Sequence, residues 1–362
     1  MQSSGRARWC AKRSRTRSIG TVNGFGPGDH EPVPVKTVAR TRVMSGMRPT
    51  GRLHLGHLVG ALTNWAELSK STDAYFAIVD LHALTTAYDR PAEIREMREE
   101  MVRDWLAAGV DPTTSTIYLQ SAIPETSELH VLLSMITPVS WLERTPTYKE
   151  QIEALGGDVA TYGFLGYPLL QLCDIATFRA EKVPVGRDQV AHLELGREIV
   201  RRFNRIYGET LVEPQPLLTE FAAVPGTDGR KMSKSYANTI EIADDEETTT
   251  KKVRSMFTDP QKLRCNDPGR PEICPVYDLH EIVNQLRTPW IEENCRSGAL
   301  GCVQCKAELA EKLNAYLGPI RERRRTFDLG TIAGIIREGT ARARVVAAQT
   351  LADVKRAMRL TL

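Results

Sequence analysis

The chain has 362 residues, of which 41% are hydrophobic and 26% are charged, a composition typical of a globular protein with room for about two domains. No apolar run approaches the ~20 residues that a membrane-spanning helix needs, so we expect no membrane segment. The formal net charge is only +3, and a nucleic-acid partner therefore has to be argued from local basic patches.

The first 38 residues differ in composition from the rest of the chain. Arginines and lysines stand among serines and threonines with no acidic residue before Asp29, and glycines and prolines follow. Such a segment buries too little apolar surface to fold, so we predict a disordered and dispensable basic extension over residues 1–38. A basic RNA-binding arm, an organellar transit peptide and translation from an upstream start codon are the alternatives.

Downstream of residue 39, apolar runs with strand character alternate with segments of helical spacing. This alternation predicts an α/β domain on a parallel sheet, and ligands of such sheets bind beyond the carboxyl ends of the strands. The predicted strands are 40–44, 74–79, 116–119 and 183–185, and the predicted helices are 94–105, 128–142, 167–178 and 189–203. After Ser235 the strand signal fades. Helical segments follow, with basic clusters at 251–254 and 321–325 that are either solvated helix faces or RNA contacts.

The stretch from Gly46 to Trp65 combines a loop rich in glycine with the start of a helix. His54 and His57 lie three residues apart at this junction, so they share one face of the helix start. A helix start favours phosphate, and two imidazoles there could hydrogen-bond a phosphate whose charge grows in a transition state. Taken alone, the pair is better explained as two ordinary histidines of a βα unit.

A second motif, Lys231-Met-Ser-Lys-Ser235, lies among glycines and small polar residues. This composition predicts a mobile loop that carries Lys231 and Lys234 three residues apart. Lysine ammonium groups are compact charges suited to a polyphosphate. A solvated basic turn would explain the loop alone, but both motifs occur in one chain and in this order.

Together the two motifs resemble the paired signatures of class I aminoacyl-tRNA synthetases. Four further blocks, 45–51, 78–85, 142–150 and 183–193, resemble tryptophanyl-tRNA synthetases in the same order. The resemblance covers about residues 40 to 362. It implies a Rossmann-like parallel-sheet catalytic domain with a helical insertion at 39–238, and an all-α anticodon-binding domain at 239–362 whose last helix packs back on the catalytic domain.

The resemblance implies ATP-dependent activation of L-tryptophan and its transfer to the 3′ end of tRNA(Trp). The carboxylate of tryptophan attacks the α-phosphate of ATP and pyrophosphate leaves, so the site acts by positioning and charge stabilisation. The implied catalytic residues are His54, His57, Lys231 and Lys234, and Mg²⁺ would bridge the phosphates. The implied ATP-binding residues are Arg48, Pro49, Thr50, Gly56, His57, Lys149, Gly186, Arg187, Asp188, Lys231, Met232, Ser233, Lys234 and Ser235.

Two of these positions depart from the family pattern. Arg48 and Arg187 stand where many bacterial members carry glutamine and glutamate. Both arginines add positive charge near the nucleotide, so the departure concerns the detailed ATP contacts and leaves the reaction unchanged.

The same resemblance assigns amino-acid specificity to the segment from Tyr167 to Asp174. Tyr167, Gln171 and Asp174 lie at i, i+4 and i+7 on one helix face, and the match makes Asp174 the acceptor for the indole N–H. Val79, His82, Val183 and Val185 would form the walls around the ring. The spacing of the first three residues also resembles the phenol-binding set of archaeal-type tyrosyl-tRNA synthetases, so by itself it does not decide between tryptophan and tyrosine.

Five of the seven cysteines fall between Cys265 and Cys305. Because no signal peptide is recognisable, a metal site is favoured over a disulfide framework. Four of them, Cys274, Cys295, Cys302 and Cys305, provide thiolates that suit Zn²⁺ or an iron–sulfur cluster. The stretch resembles a subset of tryptophanyl-tRNA synthetases that carry a [4Fe–4S] cluster, so we prefer the cluster, with zinc as the alternative.

Two further hypotheses for the whole chain are a tyrosine–tRNA ligase and a catalytically silent, synthetase-like RNA-binding protein. The presence of both histidines and both lysines argues against the silent protein, since a retired site need not keep all four. The family resemblance also implies a homodimer in the cytoplasm.

Overall fold

The structure, a computed structural model, describes residues 40–146, 148, 152, 160–218 and 224–361. The predicted extension 1–38 and Lys149 lie outside this part, as does the side chain of Asp188. None of the helices in the described part is long and apolar enough to cross a membrane.

Five parallel strands form one sheet in the order β3-β2-β1-β4-β5. They are β1 (Arg42–Met47), β2 (Asp73–Ile78), β3 (Ser115–Leu119), β4 (Lys182–Val185) and β5 (Gln215–Leu218). The chain adds β2 and β3 on one side of β1 and then crosses to add β4 and β5 on the other. The carboxyl end of β1 is therefore the point where the strand order reverses, which is where open parallel sheets bind ligands.

The predicted strands are all present, with their bounds shifted by one to three residues. β1 starts two residues later than predicted and runs on to Met47, so it takes in Gly46. The sequence did not predict β5, because Pro216 interrupts its apolar run. An edge strand tolerates proline, since one side of its backbone needs no ladder hydrogen bond.

Helices cover the sheet and make up the named elements after Ser235, which confirms the expected combination of a parallel-sheet part and an all-α part. The long predicted helix 128–142 is two helices, because the chain turns at Met135 and is extended at Pro138. The α-helices are Leu55–His57, Thr63–Ser71, Asp80–Ala87, Pro91–Ala108, Pro124–Ser134, Val139–Glu143, Tyr162–Leu165, Tyr167–Thr177, Val190–Tyr207, Glu246–Arg254, Pro275–Val283, Thr288–Arg296, Cys302–Thr326 and Leu329–Ala357, and a π-helical segment, Leu58–Leu62, joins the first two.

Both faces of the sheet are buried. Along β2, Phe76 and Ile78 belong to a core that continues into the C-terminal helices, whereas Tyr75 and Ala77 belong to a separate core on the opposite face. Successive strand residues point to opposite faces, so a strand that is buried on both sides is apolar without alternation. The unbroken apolar run 74–79 follows from this arrangement.

The helix Leu329–Ala357 lies along the outer edge of β3. Gly339 makes the close approach possible, because a β-carbon there would stand 1.9 Å from the carbonyl oxygen of Ile117. The Thr340 hydroxyl accepts from the backbone N–H of Leu119 at 3.1 Å, and Arg342 donates to the carbonyl of Ser115 at 3.2 Å. Side chains of the helix thus satisfy backbone groups that an edge strand would otherwise leave unpaired.

The basic cluster at 321–325 is largely structural. Arg324 is paired with Glu100 and with Asp104 of the helix Pro91–Ala108. Arg323 donates to the carbonyl of Ala107 at 2.7 Å, and the buried Arg321 donates to Thr249 at 2.7 Å. These contacts hold the C-terminal helices against the rest of the molecule and give Arg321, Arg323 and Arg324 structural roles. Arg325 is exposed and pairs with Glu322 on the same helix.

Candidate active site

Two short backbone segments bring the distant motifs together. The N–H of Leu55 donates to the carbonyl of Ile240 at 2.8 Å, and the N–H of Ile242 donates to the carbonyl of Leu53 at 3.0 Å. This antiparallel contact, centred on His54 and Glu241, ties the entrance of the first helix to the segment that follows the lysine loop. Sequence reasoning expected the two motifs to meet but gave no sign of how the backbone joins them.

The two histidines at the helix start face each other. Their ring centroids are 3.8 Å apart, and the backbone N–H of His54 donates to Nδ1 of His57 at 3.3 Å. Burial, with Lys234 adding to it, lowers the pKa of His54 to about 4. Burial, His54 and Lys234 together lower the pKa of His57 to about 2. Both rings are therefore neutral at pH 7, and His57 carries its proton on Nε2, as a hydrogen-bond donor.

The ring of His54 explains why the residue between the two histidines, Gly56, has no side chain. A β-carbon at this position would lie 3.0 Å from the ring of His54. The glycine thus leaves room for the imidazole, and its implied contact with ATP stays a prediction. Gly46 behaves similarly, since a β-carbon there would lie 2.7 Å from Cγ1 of Val79.

Lys234 places its charge beside the histidines. Its Nζ donates to the carbonyl oxygens of Thr50 at 3.0 Å and of Gly51 at 2.8 Å, in the loop that follows β1. Burial and the nearby Arg48 lower the pKa of Lys234 to about 8, although Glu241 and Asp104 oppose the shift. At pH 7 the side chain of Lys234 is therefore mostly protonated, and it presents a compact positive charge that suits a phosphate.

The rest of the lysine loop is anchored by the buried side chain of Met232. Met232 is buried in the main core, whereas Lys231 and Ser235 are exposed and Ser233 is partly buried. The Ser233 hydroxyl accepts from the backbone N–H of Ser235 at 3.3 Å. Lys231 and Lys234 thus share one loop, but only the Lys234 side chain lies against the histidine-bearing segment.

Asn238 holds this loop in shape and was not singled out from the sequence. Its amide donates to Asp228 at 2.6 Å and to the carbonyl of Lys231 at 3.2 Å, and its oxygen accepts from the N–H of Ser233 at 2.8 Å. A β-carbon on Gly226 would stand 2.1 Å from the same amide. Asn238 lies three residues beyond the end of the lysine motif, a position that local spacing does not mark as functional.

The predicted ring pocket is built on the helix Tyr167–Thr177. Asp174 is buried in it, and one of its oxygens, Oδ2, accepts from the Nε2 amide of Gln120 at 2.7 Å. Oδ1 is buried and has no hydrogen-bond partner among the described residues. Burial raises the pKa of Asp174 to about 8 against the opposing effect of Gln120, while Asp80 raises it further. Asp174 is therefore neither a helix cap nor half of an ion pair with lysine or arginine.

His82 closes the pocket from the first turn of the helix Asp80–Ala87, which follows β2. It is buried, its Nδ1 lies 2.8 Å from the Gln120 amide, and its ring meets Tyr167 edge to face at 4.5 Å between centroids. Burial lowers its pKa to about 3 although Gln120 opposes the shift, and Arg48 lowers it further, so the ring is neutral. Gln171 contacts the ring of His192, with Oε1 3.2 Å from Nδ1.

The remaining predicted residues lie on β4 or directly after β1, β2 and β4. Val79, Val183 and Val185 are all buried in the sheet core that contains Tyr75. Pro49 is buried and Thr50 is exposed in the loop after β1, and Gly186 and the exposed Arg187 follow β4. The charge of Arg48 lowers the pKa of both Lys234 and His82, so it acts on both parts of the site.

The four predicted metal-ligating cysteines converge in the helical part. Cys274 precedes the helix Pro275–Val283, Cys295 lies near the end of Thr288–Arg296, and Cys302 and Cys305 lie in the first turn of Cys302–Thr326. Burial raises the pKa of Cys274 and Cys295 and raises that of Cys305 to about 12, and the neighbouring Cys302 thiol adds to all three shifts. All four are free thiols, and no three His, Cys, Asp or Glu side chains of the described part lie close enough to hold one metal ion.

Comparison with known proteins agrees with this geometry. A family model for class I tRNA synthetases (W and Y) matches residues 36–318. A tryptophan–tRNA ligase from Thermotoga maritima is 47% identical over 325 residues, covering 88% of this chain and 99% of the relative. One from Aquifex aeolicus is 43% identical over an alignment of 393 residues, covering 88% and 100%.

A solved structure adds to the sequence relatives. Tryptophanyl-tRNA synthetase from Campylobacter jejuni, complexed with ADP and tryptophan, superimposes with a TM-score of 0.80 at 31% identity, covering 88% of this chain and all of that one. Because the family match extends over most of the chain and the relatives are covered almost end to end, the chain belongs to the tryptophanyl-tRNA synthetase family of class I aminoacyl-tRNA synthetases.

Proposed function

We propose that the protein is a tryptophan–tRNA ligase, which activates L-tryptophan with ATP and transfers it to the 3′ end of tRNA(Trp). One observation carries the proposal. The ammonium group of Lys234 lies on the loop after β1, beside two neutral imidazoles. The buried carboxyl group of Asp174 lies against Gln120, which follows β3, and its Oδ1 has no partner among the described residues. The names and coverage of the relatives support the same activity.

At the phosphate end, charge stabilisation comes mainly from Lys234. Attack of the tryptophan carboxylate on the α-phosphate breaks the bond to pyrophosphate, on which negative charge accumulates. Lys234 can follow that charge, because its ammonium group is held only by two carbonyl oxygens. Neutral His57 offers an Nε2–H donor to a phosphate oxygen and has no proton that it must first lose.

Arg48 is the residue that links the two ends. Its charge acts on both Lys234 and His82, and we propose that it lies near the point where the substrate carboxylate meets the α-phosphate. A guanidinium group there would draw two anionic reactants together. Mg²⁺ would supply further charge neutralisation to the phosphates when bound with the nucleotide.

At the ring end, Asp174 would accept the indole N–H through Oδ1. A buried acceptor without a partner costs ~1–3 kcal/mol, and an N–H donor removes that cost when it binds. Tyr167 and His82 meet edge to face and give the ring an aromatic wall. The pocket thus matches a flat apolar ring with a single donor.

The experiment is ATP–pyrophosphate exchange measured with each amino acid. Exchange that depends on tryptophan and not on tyrosine is the expected result. Exchange with tyrosine alone would identify a tyrosine enzyme, and no exchange with either would identify a silent synthetase-like protein.

The proposal for the cysteines comes from their number and their proximity. The Cys302 thiol acts on the pKa of Cys274, Cys295 and Cys305, so the four side chains lie near one another. Four cysteine thiolates are a ligand set of a [4Fe–4S] cluster and of structural zinc. We propose that Cys274, Cys295, Cys302 and Cys305 would hold a cluster that joins three helices, with zinc as the alternative.

The metal proposal is tested on anaerobically purified protein. A brown preparation with thiolate-to-iron absorption is expected, and it should be lost in Cys302→Ser but kept in the matched variant Cys265→Ser. A colourless preparation containing only zinc would replace the cluster with the alternative.

We further propose a homodimer in the cytoplasm. Val131 and Met135, four residues apart at one end of the helix Pro124–Ser134, are 53% and 72% exposed, and Val139 just beyond them is 58% exposed. Such neighbouring apolar side chains offer a surface for a second copy. Light scattering should report a dimer for the natural chain and a monomer for Met135→Asp.

The six described cysteines are free thiols, which fits the reducing conditions of the cytoplasm.

A further inference from the structure

We infer that Gln120 is a specificity-determining positioning residue: it binds one oxygen of Asp174 and so leaves the other as the single acceptor that reads a ring N–H. The inference rests on the proposed function, because it concerns how the same pocket selects tryptophan. No motif of the sequence pointed to Gln120, which follows β3 and lies 54 positions from Asp174.

The amide of Gln120 is fixed in orientation. Its Oε1 accepts from the backbone N–H groups of Leu81 at 3.0 Å and His82 at 3.4 Å, at the start of the helix that follows β2. Backbone donors cannot accept, so the amide cannot be turned over without leaving both of them unsatisfied. Its Nε2 must then point to the opposite side, toward the pocket.

This orientation decides the roles of two pocket residues. Nε2 donates to Oδ2 of Asp174 at 2.7 Å and lies 2.8 Å from Nδ1 of His82. Because the amide nitrogen is the donor, Nδ1 of His82 is an acceptor and its proton lies on Nε2. Neither proton of the Gln120 amide is directed to Oδ1 of Asp174, which has no partner among the described residues.

The charges around Asp174 make this acceptor sensitive to Gln120. Burial and Asp80 favour the protonated carboxyl, while the amide of Gln120 favours the carboxylate. The other titratable neighbours are His82, which is neutral, and Tyr118 and Cys173, whose own pKa values burial and Asp174 raise. Gln120 is thus the group that lowers the pKa of Asp174, and its loss would leave a weaker acceptor that is also less well oriented.

The test measures discrimination instead of activity alone. The probes are L-tryptophan and β-(3-benzothienyl)alanine, in which sulfur replaces the N–H at nearly constant shape. The readout is the ratio of their kcat/KM values in ATP–pyrophosphate exchange. Gln120→Met, which keeps the volume and removes the amide, should lower this ratio at least about tenfold, because the acceptor loses its orientation and charge. The KM for ATP should stay within about twofold.

A matched control separates positioning from packing. Thr126 is fully buried, and its hydroxyl donates at 3.4 Å to the hydroxyl of Thr177, which lies on the same helix as Asp174. Thr126→Val also removes a buried hydrogen bond, and it should leave the ratio unchanged. Equal losses with both amino acids in Gln120→Met, so that the ratio is unchanged, would show a structural role and overturn the inference.

A second test uses the natural protein and needs no variant. Because the carboxylate is the stronger acceptor, the ratio should rise between about pH 6.5 and about pH 9. A flat ratio over that range would overturn the inference even if Gln120→Met does not fold. Absence of any tryptophan-dependent exchange in the natural protein would instead remove the proposed function, so the two failures are distinguishable.

Discussion

The phosphate end and the ring end of the site are built in opposite ways. The phosphate end consists of loops. Lys234 donates hydrogen bonds to the carbonyls of Thr50 and Gly51, and Lys231 is exposed. The ring end consists of buried side chains on regular elements, with Asp174 and His82 joined through Gln120. A migrating pyrophosphate needs side chains that can follow it, whereas a rigid ring with one donor needs an acceptor that does not move.

The largest effect should come from removing the mobile charge. In Lys234→Ala we expect kcat of activation to fall on the order of 10²-fold or more, because the developing phosphate charge loses its ammonium partner. The KM for tryptophan should change by less than about twofold. Single-turnover adenylate formation measures both quantities, and Lys251→Ala, an exposed lysine on a helix, is the control. A comparable loss of tryptophan affinity would contradict the separation of the two ends.

The second effect concerns the fixed acceptor. In Asp174→Ala, kcat/KM for tryptophan should fall roughly 10–100-fold, equivalent to ~1–3 kcal/mol, since the indole N–H would be buried without a partner. The KM for ATP should be nearly unchanged. Asp174→Asn keeps a neutral acceptor and should lose less. Equal losses in tryptophan and ATP binding would show that Asp174 supports the whole site.

A smaller effect is expected from the loss of Asn238, which holds the lysine loop in shape. Asn238→Ala removes the bonds to Asp228, to the Lys231 carbonyl and to the Ser233 N–H. The KM for ATP should rise roughly 5–10-fold, because the loop must then be ordered by the nucleotide itself. Asn204, which makes three comparable bonds to the backbone of Thr210 and Leu211 far from the site, provides the matched variant Asn204→Ala. A similar rise in both variants would point to general destabilisation.

The smallest effect is a pH dependence. Lys234 has a pKa of about 8 in the free protein, so it is charged below that pH and loses its proton as the pH rises through it. ATP binding should therefore weaken above about pH 8, by less than about tenfold at pH 9, since bound phosphate restores the proton. Lys234→Arg stays charged and should flatten the profile. An unchanged profile in that variant would assign the pH dependence to another group.

The same contrast explains what the sequence could reveal. The phosphate end needs glycines, histidines and lysines at fixed short spacings, so its residues form motifs that are visible in one chain. Asp174 was assigned through the family resemblance, since its spacing from Tyr167 and Gln171 shows only that the three share one helix face. Gln120 and Asn238 act through tertiary contacts, and nothing in their own neighbourhoods distinguishes them from ordinary polar residues.

The fold shows the same limit. Buried parallel strands such as β2 are continuous apolar runs and were predicted to within one residue. β5 was missed because an edge strand is short and tolerates Pro216, and the split of the helix 128–142 was missed because apolar periodicity continues across Pro138. The arginines at 321–325 give the same sequence signal whether they face solvent, RNA or Glu100, and only the packing of helices decides between these.

The helix along the outer edge of β3 also bears on how the sheet folds during translation. Leu329–Ala357 is synthesised after every other described element, yet its Thr340 and Arg342 supply the partners for Leu119 and Ser115. Until this helix leaves the ribosome, the nascent sheet has an open side that can pair with another chain. A chain that stops before Leu329 would therefore leave the edge of β3 unpaired and would be prone to aggregation.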